Sequence, residues 1–224
     1  MIICANVLDD AQHRSVSGLL ETLSWRDGAK TAGPAARQAK QNEQADLSTK
    51  SGQILHELLR KRIETHSVFQ AAALPRRISP LLISRTRKGG GYGAHTDNAL
   101  MGERANRLRT DLSFTLFLSD PETYSGGELS VEREGSIEAV KPMAGDLALY
   151  ASGDVHAVQP VNEGERIACV GWVESYVRRV DQRRILFDLA NVQTDLKRKK
   201  SLSHAEQLSL QSVYDNLVRM WAET

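Results

Sequence analysis

The chain has 224 residues, 41% of them hydrophobic and 25% charged, with a formal net charge of +1. That length suits one domain with a sizeable core, or one domain with a small appendage, and the composition excludes a chain that is disordered throughout. Near-neutral charge gives no general drive toward nucleic acid or an anionic membrane, and no stretch approaches the roughly 18 apolar residues of a membrane span, so neither partner is expected.

The opening MIICANVLDD has no basic region ahead of its short apolar run, so it does not read as a secretory signal, and a cytoplasmic location is expected. Cys4 and Cys169 have no metal-type spacing and sit in apolar runs, as small buried thiols do. A strand over 2–5 precedes a helix capped by Asp9 or Asp10, with Leu8, Val16, Leu19, Leu20 and Leu23 at helical spacing; Trp25 and Gly28 close that unit. Residues 29–47 are polar, turn at Gly33-Pro34 and carry Gln38, Lys40, Gln41, Asn42 and Gln44; they read as a loop or arm near a site mouth. A helix over 48–64 follows, its apolar stripe formed by Ile54, Leu55, Leu58, Leu59 and Ile63, and a shorter one over 67–73 ends at Leu74-Pro75.

From Arg76 the period changes to that of strands, and Lys88-Gly89-Gly90-Gly91 marks a turn without the following helix of a phosphate loop. Residues 110–173 are β-rich. Leu112, Phe114, Leu116 and Leu118 alternate with Ser113, Thr115, Phe117 and Ser119, which predicts a strand with one face on a pocket. Many short strands with Gly and Pro turns indicate a β-sandwich or jelly roll, an α+β chain with a mainly β core. The tail returns to helix: one over 180–190, a basic linker at 197–200, then a helix opened by the capping box Ser203-x-x-Glu206. Its apolar face, Leu210, Val213, Tyr214, Leu217, Met220 and Trp221, packs on the domain or joins a second copy of the chain. The division expected is 1–176 for the β domain with its N-terminal helices and 177–224 for a helical extension.

The chemistry gathers at Tyr92-Gly93-Ala94-His95-Thr96-Asp97. On a strand, residues two apart share a face, so His95 and Asp97 can present a ring nitrogen and a carboxylate to one point. With His156 they form the ligand pattern of a two-histidine, one-carboxylate iron site, which leaves coordination positions open. Arg166 lies ten positions beyond His156, and even spacing keeps it on the same face if one strand turns into the next. Its guanidinium suits the far carboxylate of a keto acid whose other end chelates the metal. His13, His56, His66 and His204 sit in helix-like segments without ligand partners. Arg109 and Asp111 read as substrate-orienting residues or as a structural ion pair, Asn98 as a mouth residue or a turn cap, and Glu128 as a strand-end residue.

The chain resembles the PKHD-type hydroxylases, iron(II)- and 2-oxoglutarate-dependent dioxygenases related to prolyl 4-hydroxylase domains. The likeness spans nearly the whole length: Thr31-Ala32-Gly33 with Lys40-Gln41-Asn42, Tyr92 through Ala99, Arg109-Thr110-Asp111-Leu112-Ser113, and Phe117 through Pro121. It continues with Tyr124, Gly126-Gly127-Glu128-Leu129, Gly145-Asp146, Tyr150, His156, Arg166 and the helical Gln182-Arg183-Arg184. The resemblance implies a double-stranded β-helix (jelly roll), with His95, Asp97 and His156 on iron and Arg166 on 2-oxoglutarate. It further implies dioxygen as co-substrate, L-ascorbate as a reductant, and an amino-acid, peptide or small-molecule substrate hydroxylated with release of succinate and carbon dioxide. One departure stands out. Ser84-Arg85-Thr86 replaces the family's Asn-Arg-Tyr, so Thr86 offers a shorter hydroxyl to the co-substrate, which Tyr92 or Thr115 would supplement. The competing readings are a metal- and 2-oxoglutarate-binding sensor without turnover, and a metal-dependent hydrolase or isomerase, which would have no use for Arg166.

Overall fold

Alternating side chains close into two facing sheets in the computed structural model, which describes residues 1–28, 40–103 and 106–223. The predicted turn at Gly33-Pro34, the Thr31-Ala32-Gly33 motif and Gln38 lie outside the described residues. The larger sheet has eight strands. Its order is Ile2–Cys4, Leu147–Ala151, Leu112–Phe117, Glu165–Ser175, Leu82–Arg87, Glu43–Ala45 and Trp25–Asp27, with Pro75–Ile78 paired to one end of Glu165–Ser175. The smaller sheet orders Ser136–Val140, Leu129–Arg133, Val155–Val158, Gly91–His95 and Lys40–Gln41. Pairing is antiparallel throughout, and the fold is the expected jelly-roll core with helices around it.

Period-two patterning explains the layering. In Leu112–Phe117 every residue is buried, yet the two faces differ. Phe114 and Leu116 point outward into a core shared with the helices, while Phe117 points between the sheets beside Leu129, Val131, Ala148 and Tyr150. Helix α1 (Asp10–Leu20) starts at Asp9, whose side chain accepts from the Gln12 N–H while the Gln12 side chain reaches back to the Asp9 N–H. Helix α2 (Lys50–Thr65) is capped by Thr49, and α3 (Ser67–Ala73) ends on Leu74 at φ 44°. These helices lay Val16, Leu55, Leu59, Ile63 and Phe69 on the outer face of the larger sheet, each worth about 1.5–3 kcal/mol of burial. Ile54, expected in the α2 stripe, is 47% exposed, because Gly52, Leu55, Leu59 and Ile63 set the phase of the buried face.

The tail departs from expectation at the basic run. Helix α4 extends over Val180–Lys199, so Lys197, Arg198 and Lys199 form its last turn rather than a linker. Cations there meet the negative end of the helix dipole, and Lys200 closes the helix in the left-handed region. Helix α5 (His204–Trp221) begins at the predicted capping box of Ser203 and Glu206. Leu210, Tyr214, Leu217 and Trp221 are half-buried, whereas Val213 and Met220 face solvent. Both cysteines are fully buried, and burial pushes the Cys4 thiol up to about 12. Among the described residues, no helix is long and apolar enough to cross a membrane.

Candidate active site

A cavity of about 760 Å³ opens between the two sheets. His95 ends the strand Gly91–His95 and pairs in register with His156 on Val155–Val158, their ring centroids 4.3 Å apart. Asp97 lies past the strand end, so strand alternation is not what delivers it. Its backbone N–H donates to the Ser152 carbonyl at 3.2 Å, and that anchor turns the carboxylate back toward the histidines. Asp97 Oδ2 is 3.5 Å from His156 Nε2, and one donor atom from each of the three residues lies within 4.8 Å of the others.

The histidine tautomers follow from the backbone. His95 Nδ1 is 2.7 Å from the Gly93 carbonyl and His156 Nδ1 is 2.9 Å from the Asp154 carbonyl. A carbonyl only accepts, so both Nδ1 atoms carry the proton and both Nε2 lone pairs are left for a metal. Burial pulls the His95 pKa below its ordinary value, more than the Gly93 bond and the Asp97 charge restore, which favours the neutral ring that a metal needs. Asp97 is held in turn: Ser113 Oγ donates to Oδ2 at 2.6 Å and accepts from Ser152 Oγ at 2.7 Å. Sequence reasoning put Ser113 on one of the two faces of its strand, without saying which met the pocket, and did not connect it to Asp97, since that contact joins one sheet to a loop of the other.

Arg166 stands on Glu165–Ser175 in the larger sheet, and His156 belongs to the smaller one. The two therefore do not share one continuing face, as their even spacing suggested; they converge from facing sheets on the same cavity. Arg166 is 2% exposed, lies over the Phe117 ring at 5.1 Å, and has Nε and Nη2 without a hydrogen-bond partner. Among the described residues no carboxylate pairs with it. Burial lowers its pKa, and the hydroxyls of Tyr124 and Tyr150 partly oppose that. Gly127, at φ 71°, keeps the space clear: a Cβ there would come within 3.0 Å of the Tyr124 ring and 3.1 Å of Arg166 Cδ.

Thr86 is directly opposite Arg166 in the sheet and 2% exposed, and Thr115 lines the same cavity at 3% exposed. Tyr92 stacks on the His95 ring at 3.6 Å. The tyrosines beside Arg166 are Tyr124 and Tyr150, which sequence reasoning did not single out as site residues. Inward parity with the buried Ala148 was the available signal for Tyr150, which is registered against Ser113. Asn98 lines the cavity mouth. Arg109 and Asp111 do not line it; Arg109 Nε donates to both Asp111 oxygens at 2.9 and 3.1 Å, a structural pair. His13 Nε2 contacts the Leu118 carbonyl and His66 caps α3, so both serve packing.

Two nitrogens and one carboxylate on one side of a cavity suit iron(II) with open positions, and a buried guanidinium without an anion suits an incoming carboxylate. Comparison with known proteins agrees. The profile of the 2OG-Fe(II) oxygenase superfamily matches residues 81–174, and that of the PKHD-type hydroxylase C-terminal domain matches residues 181–223. A PKHD-type hydroxylase of Hyphomonas neptunium is 44% identical over 100% of both chains, and one of Synechococcus elongatus is 42% identical over 97% of each. Among solved structures, a 2OG-Fe(II) oxygenase family oxidoreductase from Burkholderia pseudomallei aligns with a TM-score of 0.57 at 18% identity, over 74% of this chain and 80% of that one. A prolyl hydroxylase from Trichoplax adhaerens aligns with a TM-score of 0.57 at 16% identity, over 83% and 86%. The chain belongs to the PKHD-type hydroxylases, within the 2OG-Fe(II) oxygenases, and is a 2-oxoglutarate-dependent iron(II) oxygenase.

Proposed function

We propose that His95, Asp97 and His156 hold iron(II), that Arg166 anchors 2-oxoglutarate, and that the enzyme hydroxylates a substrate entering the same cavity, releasing succinate and carbon dioxide. The observation that carries this reading is the pairing, in one cavity, of a His-Asp-His donor set with a buried arginine whose Nε and Nη2 have no partner. Iron(II), when bound with 2-oxoglutarate, would let dioxygen act as the oxidant, one oxygen atom going to succinate as the keto acid loses carbon dioxide and the other to the substrate C–H bond. The protein's own residues position and insulate. Arg166 offers two N–H groups to the distal carboxylate, with Thr86, Thr115 and Tyr150 around it. Ser113 and Ser152 keep Asp97 in one orientation, and Tyr92 braces the His95 ring. Leu129 and Val158 on the cavity wall limit water there.

Anaerobic titration of the apoprotein with iron(II) and 2-oxoglutarate tests this through the weak visible charge-transfer band of the chelate. The band is expected in the wild type, absent in His156→Ala and strongly weakened in Arg166→Ala. Iron binding without any band would remove the co-substrate assignment.

Finer parts of the reading have their own supports. L-ascorbate as reductant rests on the likeness to the family alone, and turnover indifferent to ascorbate would remove it. The division into 1–176 and 177–224 is supported by a tail match that begins at residue 181; proteolysis that never cuts near 177–180 would count against it. Exposed Ile185, Val192, Leu208, Val213 and Met220 on α4 and α5 support a homo-oligomer through these helices, which a monomeric mass in solution would contradict.

A further inference from the structure

Among the described residues that line the cavity, two hold buried N–H groups that meet no acceptor, and both stand on the strand Glu165–Ser175. Arg166 is the first, and the reading above gives it the far carboxylate of 2-oxoglutarate. Trp172 is the second: its Nε1–H is shut off from solvent and donates to nothing. Residues two apart on a strand share a face, so Arg166, Val170 and Trp172 look into the cavity while Cys169 and Val173 turn outward to the core under the helices. Six residues at about 3.3 Å each set the two donors roughly 20 Å apart along the backbone, a row far longer than a five-carbon diacid.

Register sets the second donor beside the metal position. Ser113 lies opposite Trp172 on the neighbouring strand, and Ser113 Oγ is the group that holds Asp97 Oδ2 at 2.6 Å. The backbone of Trp172 is already saturated: its N–H donates to Ser79 Oγ at 3.0 Å, and its carbonyl accepts from the Ser79 N–H at 2.9 Å. That clamp fixes where the indole starts, so the donor is positioned before any ligand arrives. The surroundings say what it can take. Val170 and Leu82 face each other in the sheet and line the cavity with Leu100 and Met101, an apolar wall. The nearby hydroxyls are engaged, Ser113 with Asp97 and Ser152, and Ser84 with Asn42 Nδ2 at 2.6 Å. A single indole N–H satisfies a carbonyl oxygen. It leaves the charge of a carboxylate unmet, and an ammonium offers donors alone.

We propose that Trp172 Nε1–H donates a hydrogen bond to a neutral carbonyl oxygen of the primary substrate, and that the apolar group next to this oxygen lies against Val170 and Leu82. The substrate is then an amide, ester or ketone at this point, and Trp172 sets which of its groups faces the metal. The inference rests on the metal and co-substrate reading above. A site built around a buried donor rejects analogues that lack the acceptor, because the donor is then left unpaired.

The test loads the protein with Zn(II) as a redox-silent metal and saturating 2-oxoglutarate. It then titrates three probes of one shape, cyclohexyl methyl ketone, isopropenylcyclohexane and cyclohexanecarboxylate, while the indole N–H signals are followed by NMR. The chain has three tryptophans, and the signal missing from Trp172→Phe is that of Trp172. The ketone is expected to move that signal downfield and the alkene to leave it in place, with the carboxylate binding at least tenfold more weakly than the ketone. Trp172→Phe, which keeps an apolar ring without the donor, is expected to bind the ketone at least about fivefold more weakly and the alkene within twofold of wild type. A ketone that fails to bind, binds with the Trp172 signal unmoved, or displaces 2-oxoglutarate overturns the inference, as does a carboxylate that binds as tightly as the ketone. Equal losses for ketone and alkene in Trp172→Phe also overturn it, because the indole would then act by packing. Wild-type protein that fails to bind 2-oxoglutarate before any probe is added removes the underlying reading, and this inference with it.

Discussion

Arg109 and Arg166 are both drawn into the body of the protein, and they differ in what meets them. Arg109 donates from Nε to Asp111, from Nη1 to Glu223 and from Nη2 to the Ser175 carbonyl. Arg183, 4% exposed, likewise donates from Nη1 to the carbonyls of Val177 and Arg178. Arg166 is the more deeply buried of the three, yet no carboxylate among the described residues faces it, and Nε and Nη2 donate to nothing. Desolvating a guanidinium without an anion is costly. A saturated arginine holds the fold together; an unsaturated one keeps a place for an anion that arrives.

Substitutions at the two arginines should therefore part company. Arg166→Met is expected to lower 2-oxoglutarate affinity at least about a hundredfold, since one partner of a buried charge pair is lost, and calorimetric titration of the metal-loaded protein measures it. Arg109→Ala should leave that affinity unchanged. It should instead cost roughly 3 kcal/mol of stability, because the Asp111 side chain, only 7% exposed, is left without its cation. Urea unfolding reads this directly, and wild-type stability in Arg109→Ala would break the comparison.

A smaller effect sharpens the contrast at the metal. Ser113→Ala removes the O–H that orients Asp97 while leaving the proposed ligands His95, Asp97 and His156 in place, and is expected to weaken iron(II) binding about 10–100-fold. Competition with a chromophoric chelator measures that without relying on turnover; unchanged affinity would make Ser113 a packing residue.

The smallest effect concerns Glu174, which belongs to the saturated region. Burial by itself raises its pKa, but the Arg77 hydrogen bond and charge, with the Arg109 N–H and charge, outweigh burial and hold the carboxyl below its ordinary value of 4.5. A depressed folded-state pKa stabilises the fold fully above the unfolded value and less as pH falls through the folded one. The stability difference between wild type and Glu174→Gln should thus be constant above pH 4.5 and shrink below it. A difference that grows on acidification would reverse the assignment.

Much of this was legible in the sequence because it is local. The cap of the first helix, Asp9 of the two candidates Asp9 and Asp10, the capping box at Ser203, the helix over 67–73 and the alternation in Leu112–Phe117 each depend on neighbours a few residues apart. The His95-Asp97-His156 cluster was readable as residue types in order. What failed was the geometry offered for it. Asp97 is delivered by a bond to Ser152 rather than by strand alternation, and Arg166 faces His156 across two sheets rather than along one. Ser113, Tyr124 and Tyr150 were missed as supporting residues because parity gives the face a residue is on but not its partner: Ser113 and Tyr150 meet by register between strands distant in the chain, and Tyr124 reaches Arg166 from just past the short helix Pro121–Thr123. The basic run at 197–200 was misread because its charges suit a helix C-terminus as well as a linker.

The central claim is that Arg166 is a site for an anion and not a pillar of the fold, and thermal unfolding of Arg166→Met beside wild type tests it most directly. Without ligands the variant should melt at or above the wild-type temperature, since an apolar side chain replaces an unpaired buried charge. With metal present, 2-oxoglutarate should raise the melting temperature of wild type and leave that of Arg166→Met unmoved. A variant that melts far below wild type without ligands, or that is stabilised by 2-oxoglutarate as much as wild type, would contradict the account.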